Sequence, residues 1–275
     1  MLSGPPSSVP EYTLPSKLPS YNAAWAKYVP SNILGVSVIN YSLIRQLNSS
    51  AVPAVTLLQL VSPAASVTPD MVNALVSVTY QTPNATVDFI YLTKPSFGQF
   101  AVPVAQAFSQ NLGSKSMLVY AVNRVGNGSS AGWLALIPSD NIVAFANGGS
   151  SAKTAISLSL EASNGTISNI LQTTDVKQGA YIVNGTENHL SFAIQNFPGL
   201  VRTGNMTIIS VDAVANSIDV SYVVKFPDSA TANSQVDYMR TSYLSASSFS
   251  QYDQYLEATE HRPFSQMQFA VRLVG

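Results

Sequence analysis

The chain has 275 residues, enough for one large domain or two small ones, and 46% of them are hydrophobic, which excludes global disorder. Only 10% are charged, against roughly 25% in ordinary soluble domains, and the net charge is −1 with no basic run, so the electrostatic footprint of a nucleic-acid binder is missing. No apolar stretch approaches the roughly 20 residues of a membrane-spanning helix, and the absence of cysteine excludes disulfides, thiolate metal sites and thiol nucleophiles.

The first 22 residues carry Pro5, Pro6, Pro10, Pro15 and Pro19 among serines, a composition that favours an extended tether. They hold neither the basic n-region nor the apolar h-region of a signal peptide, so a signal or anchor is expected upstream of Met1; the alternative is a cytoplasmic protein with a loose tail. From Trp25 onward the hydrophobic period switches repeatedly between 2 and 3.6. Leu34–Ile39 reads as a strand, followed by a short helix with Leu43, Ile44 and Leu47. Val76–Tyr80 and Val87–Tyr91 flank Gln-Thr-Pro-Asn-Ala, a hairpin signal. Phe97, Phe100, Ala101, Val104, Ala105, Phe108 and Leu112 fall at helical spacing, with Pro103 acceptable only in the first turn. Met117–Val122, Trp133–Ile137 and Ile142–Ala146 read as strands, and Ser150 or Ser151 caps a helix through Leu160.

Residues 163–178 are polar and read as a linker. Beyond it, Ala180–Val183 reads as a strand, His189–Gln195 as a short helix, and Met206–Ala213 with Ile218–Phe226 as a hairpin. Asp228 or Ser229 caps a helix carrying Ala232, Val236, Met239 and Tyr243, and Gln251–Ala258 with Gln266–Val274 close the chain as a last hairpin. The segments Val87-Asp88-Phe-Ile-Tyr91-Leu-Thr-Lys94 and Ile218-Asp219-Val-Ser-Tyr222-Val-Val-Lys225 match in pattern, and each leads through a proline toward an expected helix. The expected fold is therefore α+β: two duplicated ferredoxin-like βαββαβ-type units, 23–162 and 179–275, with antiparallel sheets and helices on one face.

Asn147-Gly-Gly-Ser-Ser-Ala-Lys153-Thr154 suggests a phosphate loop, but Asn147 and Ala152 stand where that loop needs glycine, so a turn and helix cap explain it. Glu257, Glu260 and His261 form the one local cluster of metal-ligand types; a solvated turn of the final hairpin is the preferred reading, and no metal or other cofactor is expected. No Gly-x-Ser-x-Gly elbow is present, and neither His189 nor His261 has a catalytic motif around it. Asp88 and Asp219 recur in the matched segments and read as solvent-facing residues or partners of Lys94 and Lys225.

In composition the whole chain resembles secreted or cell-surface proteins of thermoacidophilic archaea: poor in charge and cysteine, rich in Ser, Thr, Asn, Tyr and Val, with Asn-x-Ser/Thr sequons at Asn40, Asn48, Asn84, Asn127, Asn164, Asn184 and Asn205. That resemblance implies glycosylation and an extracellular or cell-surface setting. The leading expectation is a non-catalytic module contacting an envelope protein or a glycan. The second is a soluble-ligand binding module with a groove between the two units, and the third an extracellular hydrolase. Mass spectrometry of protein from its source is expected to find hexose-rich additions on several of the seven sequon asparagines. Seven unmodified sites would remove the main support for a surface location.

Overall fold

Strand-forming segments dominate the chain. The computed structural model describes residues 9–47, 69–94, 104–112, 115–123, 131–147, 149–196, 203–243, 245–271 and 273. Its strands are β1 (Glu11–Tyr12), β2 (Gly35–Ile39), β3 (Val72–Tyr80), β4 (Ala85–Leu92), β5 (Val104–Leu112), β6 (Lys115–Asn123), β7 (Ala131–Ile137), β8 (Ile142–Asn147), β9 (Ser191–Gln195), β10 (Met206–Val214), β11 (Ser217–Lys225), β12 (Ser248–Tyr252) and β13 (Tyr255–Pro263). The α-helices are α1 (Tyr41–Leu47), α2 (Ser150–Ser163), α3 (Thr174–Ile182), α4 (Ser229–Ser234), α5 (Val236–Ser242) and α6 (Met267–Val271). A 3-10 turn, Ala24–Tyr28, precedes β2.

The fold is mixed α+β, and the described strands form one 13-stranded sheet in the order β1-β12-β13-β11-β10-β9-β2-β3-β4-β8-β7-β6-β5. Helices cover both of its faces, not one. On the first face the 3-10 turn, α2 and α3 bury Trp25, Tyr28, Ala155, Ile156, Leu160 and Val176 against Val38, Val87, Phe89, Ile194 and Val223. On the second, α1 and α6 bury Ile44, Met267 and Val271 against Ile90, Val143, Val211 and Val220, while α4 and α5 cover Val224 and Phe226. Two covered faces explain why Ile142–Ala146 of β8 reads as an unbroken apolar run, where a sheet open to water on one side would alternate cleanly.

Four elements differ from expectation. Residues 104–112 are a strand paired in register with β6 (Phe108 opposite Val119), so sheet pairing overrides the helical spacing; Phe97, Phe100 and Ala101 lie outside the described residues. Ala180–Val183 belongs to the end of α3, whose buried Val176, Gly179 and Ala180 follow helical spacing behind a polar start. Residues 191–195 form β9, a strand hydrogen-bonded on both sides and buried on both faces, which shows no alternation. The closing hairpin is β12–β13, and α6 occupies the place of its expected second strand. The 163–178 stretch, read as a linker, buries Ile170, Leu171 and Val176 in the first-face core.

The two halves share a strand plan but are not ferredoxin-like. Each opens with a three-strand meander (β2-β3-β4 and β9-β10-β11), then jumps outward and returns beside its third strand through β8 or β13. The matched segments do fall on β4 and β11, each the second strand of a hairpin. Their side chains, however, point oppositely. Asp88 shares its face with second-core Ile90, whereas Asp219 shares its face with first-core Val223. Tyr91 packs on the first core and Tyr222 on the second. With a side-chain period of 2, an alignment off by one residue exchanges the faces.

Part of the expected N-terminal tether is docked. β1 pairs in parallel with β12: Gln251 N donates to Pro10 O (2.9 Å), Asp253 N to Tyr12 O (3.2 Å), and Leu14 N to Asp253 Oδ2 (3.0 Å). The Tyr12 and Tyr252 rings stack at 5.0 Å, and Leu14 is buried. Leu14→Ala is expected to lower stability by about 2 kcal/mol and to speed hydrogen exchange at the Gln251 and Asp253 amides. Equal exchange at those amides in the variant and the unaltered chain would show that β1 does not hold the edge.

Candidate binding groove

A cleft of about 480 Å³ lies at one end of the central strands, where the two halves of the sheet meet. The first half supplies Val38 and Asn40 from β2 and its exit, Asn73 from β3, and Leu92 and Thr93 from the end of β4. The second half supplies Thr186, Glu187, Asn188, His189 and Phe192 from the approach to β9 and the strand itself, and Trp25 comes from the 3-10 turn. The open backbone ends of adjacent strands leave room there that the covering helices do not fill.

Each wall is held by identifiable bonds. Trp25 Nε1 donates to Thr186 O at 2.9 Å, tying the N-terminal segment to the second half, and the indole lies 5.7 Å from the Phe192 ring. Tyr91 Oη lies 3.3 Å from both the Ala24 and Trp25 carbonyl oxygens; burial first, then Asp140, pushes this phenol up. Asp140 accepts from Tyr28 Oη at 2.6 Å and is ion-paired with Lys27, and burial together with that bond pushes the Tyr28 hydroxyl up. Asn40 Oδ1 accepts from Leu43 N (3.0 Å) and so caps α1. Asn73 accepts from Ser42 Oγ (2.8 Å) and donates to Leu92 O (3.3 Å). Asn141 and Asn188 stand at the rim in the left-handed region, at φ 56° and 67°.

His189 is buried, stacked on Phe192 at 5.3 Å. Its Nδ1 is 2.6 Å from Asp212 Oδ1 and its Nε2 3.3 Å from Gly185 O, so both ring nitrogens face protein acceptors. Among the described residues no serine or threonine hydroxyl is bonded to either histidine. The imidazole ties the groove wall to β10 through Asp212. His261 makes the corresponding contact with Asp219 at 2.6 Å, and Asp212 and Asp219 are direct cross-strand partners. A histidine ring nitrogen thus stands within hydrogen-bond distance of each of these facing aspartates.

The sequence candidates are dispersed. Glu257, Glu260 and His261 lie along β13, not on a turn, and alternation separates them: Glu257 and His261 face the first side, Glu260 the second, where Arg262 Nη2 donates to it at 2.8 Å. No group of three His, Cys, Asp or Glu side chains able to hold a metal occurs among the described residues. At the phosphate-loop look-alike, Gly149 O accepts from Trp133 Nε1 (2.9 Å) and α2 starts at Ser150. Of the sequon asparagines, Asn84, Asn164, Asn184 and Asn205 are exposed, Asn40 lines the groove, and Asn48 and Asn127 lie outside the described residues. Sequence reasoning missed Trp25, Tyr91, Asn141, Asn188 and Phe192 as groove residues; the Asp140-Asn141 pair ahead of β8 is a turn signal that marks only a loop.

The fold recurs in solved crystal structures of TP0453. Form I matches with a TM-score of 0.55 at 8% identity over 94% of this chain and 99% of that one. Form III gives 0.51 at 10% identity over 90% and 96%, and form IV 0.50 at 11% over 92% and 99%. At these identities the likeness concerns the fold alone. No family model and no curated protein matches the chain.

Asp88 generates a pH prediction. Burial pushes its carboxyl above the usual carboxylate range, partly offset by the bond from Ser77 Oγ at 2.5 Å; burial raises Glu257 likewise. As pH rises from the ordinary carboxylate range through the raised one, the folded chain retains a proton that the unfolded chain has released. Stability from these groups therefore falls over that window and stays lower above it. Asp88→Asn is expected to raise the melting temperature at neutral pH and leave it nearly unchanged at about pH 3, below the ordinary carboxylate range. An equal shift at both pH values would refute the assignment.

Proposed function

We propose that this chain is a non-catalytic cell-surface protein that holds a ligand in the groove between the two halves of its sheet. The observation that carries this reading is the groove itself, built jointly by β2, β3 and β4 of one half and the approach to β9 of the other. Its walls are polar groups already bonded into the structure, an arrangement that presents a rigid, preformed surface. Supporting the absence of catalysis, the groove's histidine has both nitrogens facing Asp212 and Gly185, and its Asp140 is engaged by Lys27 and Tyr28. A surface location is supported by the low charge and the exposed sequons at Asn84, Asn164, Asn184 and Asn205.

A broad small-molecule screen read by thermal shift tests the groove. Ligands found this way are expected to lose their effect in Thr93→Trp, which places an indole on the exposed rim of the cleft. If every stabilising compound acts equally on the variant, binding lies elsewhere and the groove reading fails.

A further inference from the structure

We infer that the ligand class of this groove is an uncharged saccharide, an inference that rests on the groove reading above. The first observation is the charge of the lining. Among the described residues no lysine or arginine lines the cleft, and Lys27 and Arg45 behind it are engaged by Asp140, Val72 and Ser42, so an anionic ligand would lose its hydration without gaining a cation. Of the two carboxylates, Asp140 is already ion-paired with Lys27, which leaves exposed Glu187 as weak attraction for a cationic ligand.

The second observation is the kind of polar group present. Asn40, Asn73, Asn141 and Asn188 line the cleft together with Ser42 and Thr93. A carboxamide offers two donors and an acceptor at one point, and a hydroxyl offers both roles. That alternation complements vicinal hydroxyl groups, each of which donates and accepts. Asn73, Ser42 and Thr93 are already bonded within the protein, so an aliphatic chain in the same place would leave chiefly the Asn141 and Asn188 amides without partners. The Asn40 and Asn73 oxygens are used within the protein. The Asn141 and Asn188 side chains make no hydrogen bond to another described residue. Both also sit at positive φ, a conformation in which asparagine is tolerated and glycine is unstrained. Asparagine is the side chain best tolerated there, and the same conformation occurs outside the cleft at Asn184, Ala215 and Asp253, so the amides rather than the backbone bear on the ligand.

The third observation is the apolar floor. Trp25, Tyr91 and Phe192 line the cleft beside Val38 and Leu92; Trp25 and Phe192 are buried against each other with His189 stacked on Phe192, so the partly exposed aromatic residue is Tyr91. An aromatic surface next to amides suits a sugar ring, whose C–H face is apolar and whose edge is polar.

The test measures binding of the full chain to four sets of probes by calorimetry and saturation-transfer NMR. The probes are neutral mono- and disaccharides, uronic and sialic acids, amino sugars, and a medium-chain fatty acid. Neutral saccharides are expected to bind, and their affinity is expected to change less than about twofold between roughly 0.05 and 0.5 M salt because no ion pair is made. Asn141→Gly and Asn188→Gly keep the left-handed backbone and delete the amide, so each is expected to weaken binding by about tenfold with the melting temperature unchanged or raised. Preferential binding of the charged probes or the fatty acid, abolished by Thr93→Trp, overturns the saccharide class and leaves the groove reading standing. Neutral saccharide binding that survives Thr93→Trp and both glycine variants overturns both. Failure of every probe to bind also overturns the saccharide class, and the broad screen then decides the groove reading independently.

Discussion

The antiparallel pairing of β2 with β9 is the contact on which the remainder of the molecule depends. Five residue pairs, from Gly35 opposite Gln195 to Ile39 opposite Ser191, join two strand meanders into one sheet. The approach there is close: a Cβ at Gly35 would stand 3.0 Å from the Ile194 carbonyl oxygen, so glycine gives the seam its spacing. Both faces of the seam are buried. Val36 and Val38 from one half and Phe192 and Ile194 from the other share the first core, and Ile39 and Ala193 share the second. Separating the halves would expose both cores at once, which couples them into one cooperative unit. The groove follows from the same contact, since it forms where the paired strands end.

Charge is used sparingly and mostly in pairs. Lys225 meets Asp175 at 2.5 Å, Arg262 meets Glu260, Lys27 meets Asp140, and the two histidines meet Asp212 and Asp219. Several of these pairs connect separate elements: Lys225–Asp175 joins β11 to α3, and His189–Asp212 joins the approach to β9 to β10. Exposed ion pairs contribute little to stability. Partly buried ones instead penalise the loss of either partner, so they specify arrangement more than they add free energy. The chain's low charge content and the uncharged amide rim of its groove are two expressions of the same composition.

Elements governed by near neighbours were legible in the amino-acid sequence. The β10–β11 hairpin around Ala215 and Asn216 was readable from its flanking alternation. The Asp228 cap, whose Oδ1 accepts from Thr231 N at 2.7 Å, was readable from residue type; the helical run of α2 was readable too, but its expected serine cap is not made, because Gly149 is the cap residue and Ser150 already lies in the helix. The α+β class follows from these alternating periods. Elements defined by burial on both sides were not legible. β9 lacks alternation, β5 carries a helical spacing that pairing with β6 overrides, and the Asp88–Asp219 match is reversed in face by a single-residue offset.

Composition determined by itself the absence of thiol chemistry and the scarcity of charge, and among the described residues no helix is long and apolar enough to cross a membrane. Tertiary structure alone decided which residues meet. Trp25 bonds to Thr186 across 161 positions, Leu14 to Asp253 across 239, and the aspartates held by the two histidines come together through the register of β10 with β11. Such contacts leave no local pattern, because each side chain's own neighbourhood is compatible with many partners. Only closure of the sheet at β2 and β9 selects among them. For the same reason Asn141 and Asn188, read singly, are ordinary turn residues; only the tertiary structure brings them to one rim.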